Sequence, residues 1–138
     1  MSVFKSKKGS TKIDSLIGQG TTVRGDISFA GGLRIDGTVI GRVSASDPKN
    51  GTLVVSEKAR IEGSVQCSHL IHNGEIIGPI EVAQYVELQT KARITGDLSY
   101  KTLEMHAGAM IQGKLLHLSN GTQEEVDPAT VVTVSQAA

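Results

Sequence analysis

A short phrase recurs along this chain: an apolar residue, any residue, glycine, any residue and a second apolar residue. It reads IEGSV at 61–65, ITGDL at 94–98 and IQGKL at 111–115. The longer segments 51–67, 68–83, 84–100 and 101–117 align with one another, which gives a repeat of 15 to 18 residues. Helical hairpins and propeller blades need roughly 30 residues or more. The repeat therefore predicts a β-solenoid with one repeat per coil.

Within each phrase the apolar residues alternate with polar ones, as in strands that bury one face. Ile61, Gly63 and Val65 share one parity, so the glycine falls on the inward side. A residue without a side chain at an inward position indicates a corner, where a Cβ would collide with the interior or require positive φ. The predicted corner glycines are Gly25, Gly37, Gly41, Gly63, Gly78, Gly96 and Gly113.

These patterns predict an all-β, single-domain β-solenoid of about six coils over residues 18–118. Aromatic residues make up 3% of the chain and tryptophan is absent, so the core must be narrow and aliphatic. Residues 44–51, SASDPKNG, interrupt the repeat and predict a loop. Residues 1–17 and 119–138 lack the repeat and are expected to be flexible tails. Within the second tail, 131–134 could add an edge strand.

The overall charge gives no indication of nucleic acid binding, because 14 basic residues balance 14 acidic ones. Cys67 is the only cysteine, which excludes an internal disulfide and suits a reducing compartment. No apolar run approaches the roughly 18 residues of a membrane span, and the N-terminus lacks a signal-peptide pattern. We therefore expect a cytoplasmic protein, and no cofactor is predicted.

Four histidines, His69, His72, His106 and His117, leave an enzyme open as an alternative. β-Solenoid carbonic anhydrases bind a metal between subunits, and hexapeptide-repeat acyltransferases use a histidine base. The histidines of this chain fall mostly on outward or corner positions. Its coil length also varies, whereas hexapeptide-repeat enzymes have a regular repeat. Such an enzyme would form a closed trimer. A third hypothesis is an adaptor that binds one partner and stays monomeric because the ends of its solenoid are covered.

The first residues, MSVFKSKKGSTK, combine a small apolar group with lysines and no acid. Such a segment can insert apolar side chains into a membrane while lysines contact anionic headgroups, each contributing about 1 kcal/mol near the surface. Many copies on one filament would bind together by avidity. The predicted membrane-binding residues are Met1, Val3, Phe4, Lys5, Lys7 and Lys8.

The two ends of a solenoid expose unpaired strands and stacked apolar side chains, which a soluble monomer must cover. No amphipathic helix is visible at either end, so we expect the ends of different copies to pair and form a filament. Phe29→Arg or Leu116→Arg should then give short soluble species, by burying an unpaired charge. The predicted contact residues are Val23, Ile27 and Phe29 at one end and Leu115, Leu116 and Leu118 at the other.

The phrases VRGDI, IDGTV, IEGSV, ITGDL and IQGKL, between a lysine-containing N-terminal tail and a polar C-terminal tail, resemble those of the bactofilins. The resemblance covers about residues 18–118. It implies a right-handed β-helix, nucleotide-independent filaments and a scaffold at the inner membrane that positions cell-wall or morphogenesis proteins. It also implies membrane binding through Met1, Phe4, Lys5 and Lys7. The family's end contacts use apolar and some aromatic residues, whereas this chain has Phe29 near the start and only leucines near the finish.

Overall fold

The computed structural model describes residues 13–47, 49–119 and 122–126, and each regular element in these ranges is a β-strand. In chain order the strands are β1 (Ser15–Ile17), β2 (Thr22–Arg24), β3 (Ile27–Phe29), β4 (Gly31–Ile35), β5 (Thr38–Ile40), β6 (Val43–Ala45), β7 (Gly51–Val55), β8 (Arg60–Glu62), β9 (Val65–His72), β10 (Glu75–Ile77), β11 (Ile80–Leu88), β12 (Arg93–Thr95), β13 (Leu98–Tyr100), β14 (Thr102–Met105), β15 (Met110–Gln112), β16 (Leu115–Ser119) and β17 (Thr122–Val126). They wind into six coils of three strand segments each.

Two strands pass round a corner without a break. In β9, Val65 pairs with Val43 of β6, whereas Leu70 pairs with Leu53 of β7. The first part of β9, and likewise of β11, therefore closes one coil, and the second part opens the next. The predicted all-β solenoid of about six coils is confirmed.

Equivalent strands of successive coils pair in parallel and form three faces. Face 1 consists of β1, β4, β7, the second parts of β9 and β11, and β14. Face 2 consists of β2, β5, β8, β10, β12 and β15. Face 3 consists of β3, β6, the first parts of β9 and β11, β13 and β16. β17 pairs with β16 in the antiparallel direction.

The core is a set of inward rows in which equivalent side chains lie above one another along the solenoid axis. Each fully buried aliphatic side chain contributes on the order of 1.5–3 kcal/mol relative to exposure. The face 2 row shows the regularity, because a β-branched residue occupies every coil: Val23, Val39, Ile61, Ile76, Ile94 and Ile111.

One corner of the solenoid, between faces 2 and 3, is a column of six glycines. Their φ angles lie between +134° and +155°, a region that other residues rarely adopt. The members are Gly25, Gly41, Gly63, Gly78, Gly96 and Gly113. Gly37, the seventh glycine of the predicted set, lies at a different corner, between faces 1 and 2, and its φ is not positive. A Cβ there would still meet the carbonyl oxygens of Thr21 and Gly18.

The strands extend beyond the boundaries expected from the repeat. β1 begins at Ser15, inside the predicted N-terminal tail, and β17 lies inside the predicted C-terminal tail. The expected edge strand at 131–134 and the membrane-binding residues of 1–8 lie outside the described residues.

The predicted loop at 44–51 is shorter than expected, because β6 ends at Ala45 and β7 begins at Gly51. Asp47 organises its turn, since Lys49 N donates to Asp47 Oδ1 and Asn50 N donates to Asp47 O, each at 3.0 Å. The loop lengthens this coil beyond 18 residues, because Leu33 pairs with Leu53, twenty positions later.

His72 departs from the expected outward or corner placement. Its side chain is fully buried in the inward row of face 1, between Val55 and Leu88. The ring nitrogens both have backbone partners: Nε2 lies 3.1 Å from Arg93 O, and Gly74 N donates to Nδ1 at 3.4 Å. This arrangement fits the neutral Nε2–H tautomer. The continuous corner in β9 carries the ring inward.

Candidate assembly interface

The apolar inward rows are fully buried in the middle coils and become partly exposed at the two end coils. In the middle coils each inward side chain is covered by the coils on both sides. In an end coil one of these neighbours is missing among the described residues, so the inward side chains present an apolar surface there. The partly buried members are Ile17, Val23 and Ile27 in the first coil and Leu103, Met105, Ala109 and Ile111 in the last.

The end strands also have free hydrogen-bonding edges. Among the described residues, β1, β2 and β3 each pair with one strand only, which leaves all three edges of the first coil open. In the last coil β14 and β15 are likewise paired on one side, whereas β17 covers the edge of β16. Open edges of this kind are templates for pairing with another chain.

The three residues predicted for the N-terminal contact come together at the first coil. Val23 and Ile27 are partly buried ends of their inward rows. Phe29 also faces inward and is only 7% exposed, with Ala45 as the next member of its row. Val23 and Ile27 therefore offer more accessible surface than Phe29.

The three residues predicted for the C-terminal contact are separated. Leu115 faces inward and is 1% exposed. Leu116 points outward on face 3, where it lines a shallow groove with Gln66 and Glu81. Leu118 has the same parity as Leu116 and is half-buried. The open apolar surface of the last coil comes instead from other residues, including Leu103 and Ile111.

The inward row that begins at Phe29 ends in two further rings. Tyr100 and His117 are paired members of this row, with ring centroids 5.5 Å apart in an edge-to-face arrangement. His117 Nε2 lies 3.0 Å from Lys101 O. The sequence contains the signal for this, because Tyr100 and His117 each follow an inward leucine by two positions, as Phe29 follows Ile27. The C-terminal end thus has aromatic rings that the sequence analysis missed.

The other residues considered for chemistry are dispersed. Cys67 lies in the core, where burial raises the pKa of its thiol to about 12 and keeps it protonated. His69 Nδ1 lies 3.0 Å from the Ser68 hydroxyl. His106 is near Glu87 and Glu104, and in the described part of the chain these three are the group whose donor atoms could hold a metal ion.

Within the ranges that the structure describes, no helix has the length and apolar character needed to cross a membrane.

Comparison with known proteins finds a matching family and matching relatives. The family described as bactofilin, polymer-forming cytoskeletal, matches residues 15–116. Bactofilin BacO of Myxococcus xanthus (strain DK1622) is 28% identical over 102 residues, which cover 74% of this chain and 78% of BacO. Bactofilin BacP of the same organism is 27% identical over 117 residues, which cover 83% of this chain and 47% of BacP.

No solved structure matches the chain significantly. The family match spans the solenoid from its first strand into β16. The chain belongs to the bactofilins, a family of polymer-forming cytoskeletal proteins.

Proposed function

We propose that this chain assembles end to end into filaments that form without a nucleotide. The observation that carries the proposal is that, among the described residues, the inward apolar rows end partly exposed and five of the six strand edges of the two end coils are unpaired. A second copy stacked on the end coil along the solenoid axis would extend the apolar rows and pair with the open strand edges, just as each coil does with the next one in a single chain. Because both ends can be used and each copy stacks along the solenoid axis, association does not close into a ring or a dimer.

Substitutions at the two ends of the face 2 row test this proposal. Val23→Glu and Ile111→Glu each place a charge where the row would meet another copy, and the cost of burying an unpaired charge should prevent long polymers. Ile40→Glu is the matched control, because Ile40 is an exposed apolar residue on the side of the second coil. We expect only the control to pellet like the wild type in high-speed sedimentation.

Pelleting by Val23→Glu and Ile111→Glu at wild-type concentrations would refute contact through this row. Phe29→Arg is a less direct test, because the ring is buried within its own chain. Leu116→Arg tests whether the outward side of the last coil also takes part in the contact between copies.

We also propose that residues 1–8 hold the filament at an anionic membrane surface, through Met1, Val3, Phe4, Lys5, Lys7 and Lys8. The support is the combination of small apolar groups and lysines in a segment that precedes the open first coil. The full chain should float with vesicles containing phosphatidylglycerol, and a chain lacking residues 1–12 should not. Equal flotation of both chains would contradict membrane binding by this segment.

The resulting function is a non-catalytic scaffold on the cytoplasmic side of the membrane, which positions cell-wall or other membrane-associated proteins. The support is the family's cytoskeletal description together with the dispersed histidines and the inert Cys67. The competing solenoid-enzyme function requires a closed trimer with histidines between subunits. Light scattering separates the two, because a trimer keeps one mass at all concentrations and a filament grows.

A further inference from the structure

A pair of carboxylates occupies one outward row of face 1 near the C-terminal end. In successive coils this row contains Arg34, Val54, Ile71, Glu87 and Glu104. Glu87 and Glu104 are directly paired across the β11–β14 ladder. Like charges directly opposite one another destabilise a sheet. The pair therefore favours a cation beside it.

His106, which follows β14, brings an imidazole nitrogen to both carboxylates. Its Nε2 lies 2.9 Å from Glu87 Oε2 and 3.7 Å from Glu104 Oε2. The three donor atoms all lie within 4.8 Å of one another. A tetrahedral Zn²⁺ with bond lengths of about 2.0–2.2 Å separates its ligand atoms by roughly 3.4 Å. Small side-chain movements would bring all three atoms to that spacing, and the partly exposed side chains have room for them.

Neighbouring groups hold Glu104 and His106 in place. The Tyr85 hydroxyl donates to Glu104 Oε1, which leaves Oε2 facing His106. The backbone of His106 is fixed as well, since its N–H donates to Leu88 O at 2.8 Å. Such supporting bonds orient ligands in metal sites.

We propose that Glu87, Glu104 and His106 form a binding site for a divalent transition-metal ion of the Zn²⁺ class. One nitrogen and two carboxylate oxygens favour Zn²⁺ and similar ions over Mg²⁺ or Ca²⁺, which prefer oxygen alone. The ion cross-links the fifth coil, which contributes Glu87, to the sixth, which contributes Glu104 and His106. It thereby stabilises an end coil. The site is a property of the single chain and does not depend on filament formation.

Isothermal titration of the full chain with ZnCl₂ tests the site. We expect one ion per chain in the wild type. His106→Gln and Glu104→Gln should each lose more than the roughly 10- to 100-fold in affinity that the loss of a supporting partner costs. His69→Gln is the control, because His69 lies on the same face in the fourth coil with its Nδ1 on Ser68. It should bind like the wild type.

A second readout keeps the test independent of variant folding. Zn²⁺ should raise the urea midpoint of the wild type and of His69→Gln but leave that of Glu104→Gln unchanged. The proposal is overturned if the wild type does not bind Zn²⁺. It is also overturned if His106→Gln and Glu104→Gln bind as tightly as the wild type, or if His69→Gln loses the site. In each of those cases His106 is only an ion-pair partner of the two carboxylates.

Discussion

At the scale of single residues, the glycine column shows why the repeated phrase requires glycine. At Gly63 the backbone has a positive φ, and a Cβ would also collide with the carbonyl oxygen of Gly41 in the preceding coil. Both constraints recur at Gly41, Gly78, Gly96 and Gly113. Gly25 keeps the positive φ, but none of the described residues lies within 4 Å of its Cβ position, because it belongs to the first coil.

Alanine substitutions separate the two constraints. Gly25→Ala should cost about 1–3 kcal/mol of unfolding free energy from backbone strain alone. Gly63→Ala should cost more, because its Cβ also displaces the Gly41 carbonyl. Gly18→Ala serves as the control, since Gly18 has no positive φ and no part of the described chain lies within 4 Å of its Cβ position. Urea unfolding measures all three, and equal losses at Gly63 and Gly25 would contradict the collision.

These residue-level features were largely readable from the sequence. The spacing of glycine after each inward isoleucine predicted corners, and the column lies at one. The pairing of Glu87 with Glu104 was also accessible, because the two occupy the same position in aligned repeats. The contact of His106 with Glu87 was not, because the aligned repeats place the turn that begins at His106 but do not specify its side-chain conformation.

At the scale of elements, β9 explains the burial of His72. A strand that turns a corner without a break keeps pairing on both faces, and the row position equivalent to Val55 falls on a histidine. Burial lowers the pKa of His72 to about 4, against the bond to Arg93 O, which raises it. The alternation of inward and outward residues could not by itself predict the burial of His72, because the alternation starts again after the corner.

The buried ring should make stability depend on pH. The pKa of about 4 in the folded chain is below the usual histidine value of 6.5, so between these two values the unfolded chain binds the proton more readily. The neutral His72 ring contributes fully to the unfolding free energy above pH 6.5. This contribution is lost as the pH falls from 6.5 towards 4, and the loss is on the order of 3 kcal/mol. His72→Leu should remove this part of the pH dependence. Identical pH profiles of unfolding free energy in variant and wild type would contradict the assignment.

β17 is the element that the sequence analysis did not anticipate. Residues 122–126 lack the repeat, because they pair antiparallel with β16 instead of continuing the coil. A strand at 122–126 can be expected only once it is known that this segment lies beside an open strand edge. The strand makes the two ends of the solenoid unequal, because among the described residues an antiparallel strand, and not a strand of the coil, forms the last edge of face 3.

At the scale of the whole molecule, the rows that stabilise each coil against the next also define the ends. The repeat predicted the solenoid and its coil number. Placing Leu115 and Leu116 together in the C-terminal contact overlooked the alternation along β16, which puts them on opposite sides, as it does Leu98 and Ser99 in the preceding coil.

Negative-stain electron microscopy of the purified chain, in buffer with a chelator and without nucleotide, tests the central claim most directly. The chain lacking residues 1–12 is imaged beside it. End-to-end assembly through the coil ends predicts filaments in both samples, because the solenoid alone makes the contact. Discrete particles of one size in both samples would contradict polymerisation by the solenoid.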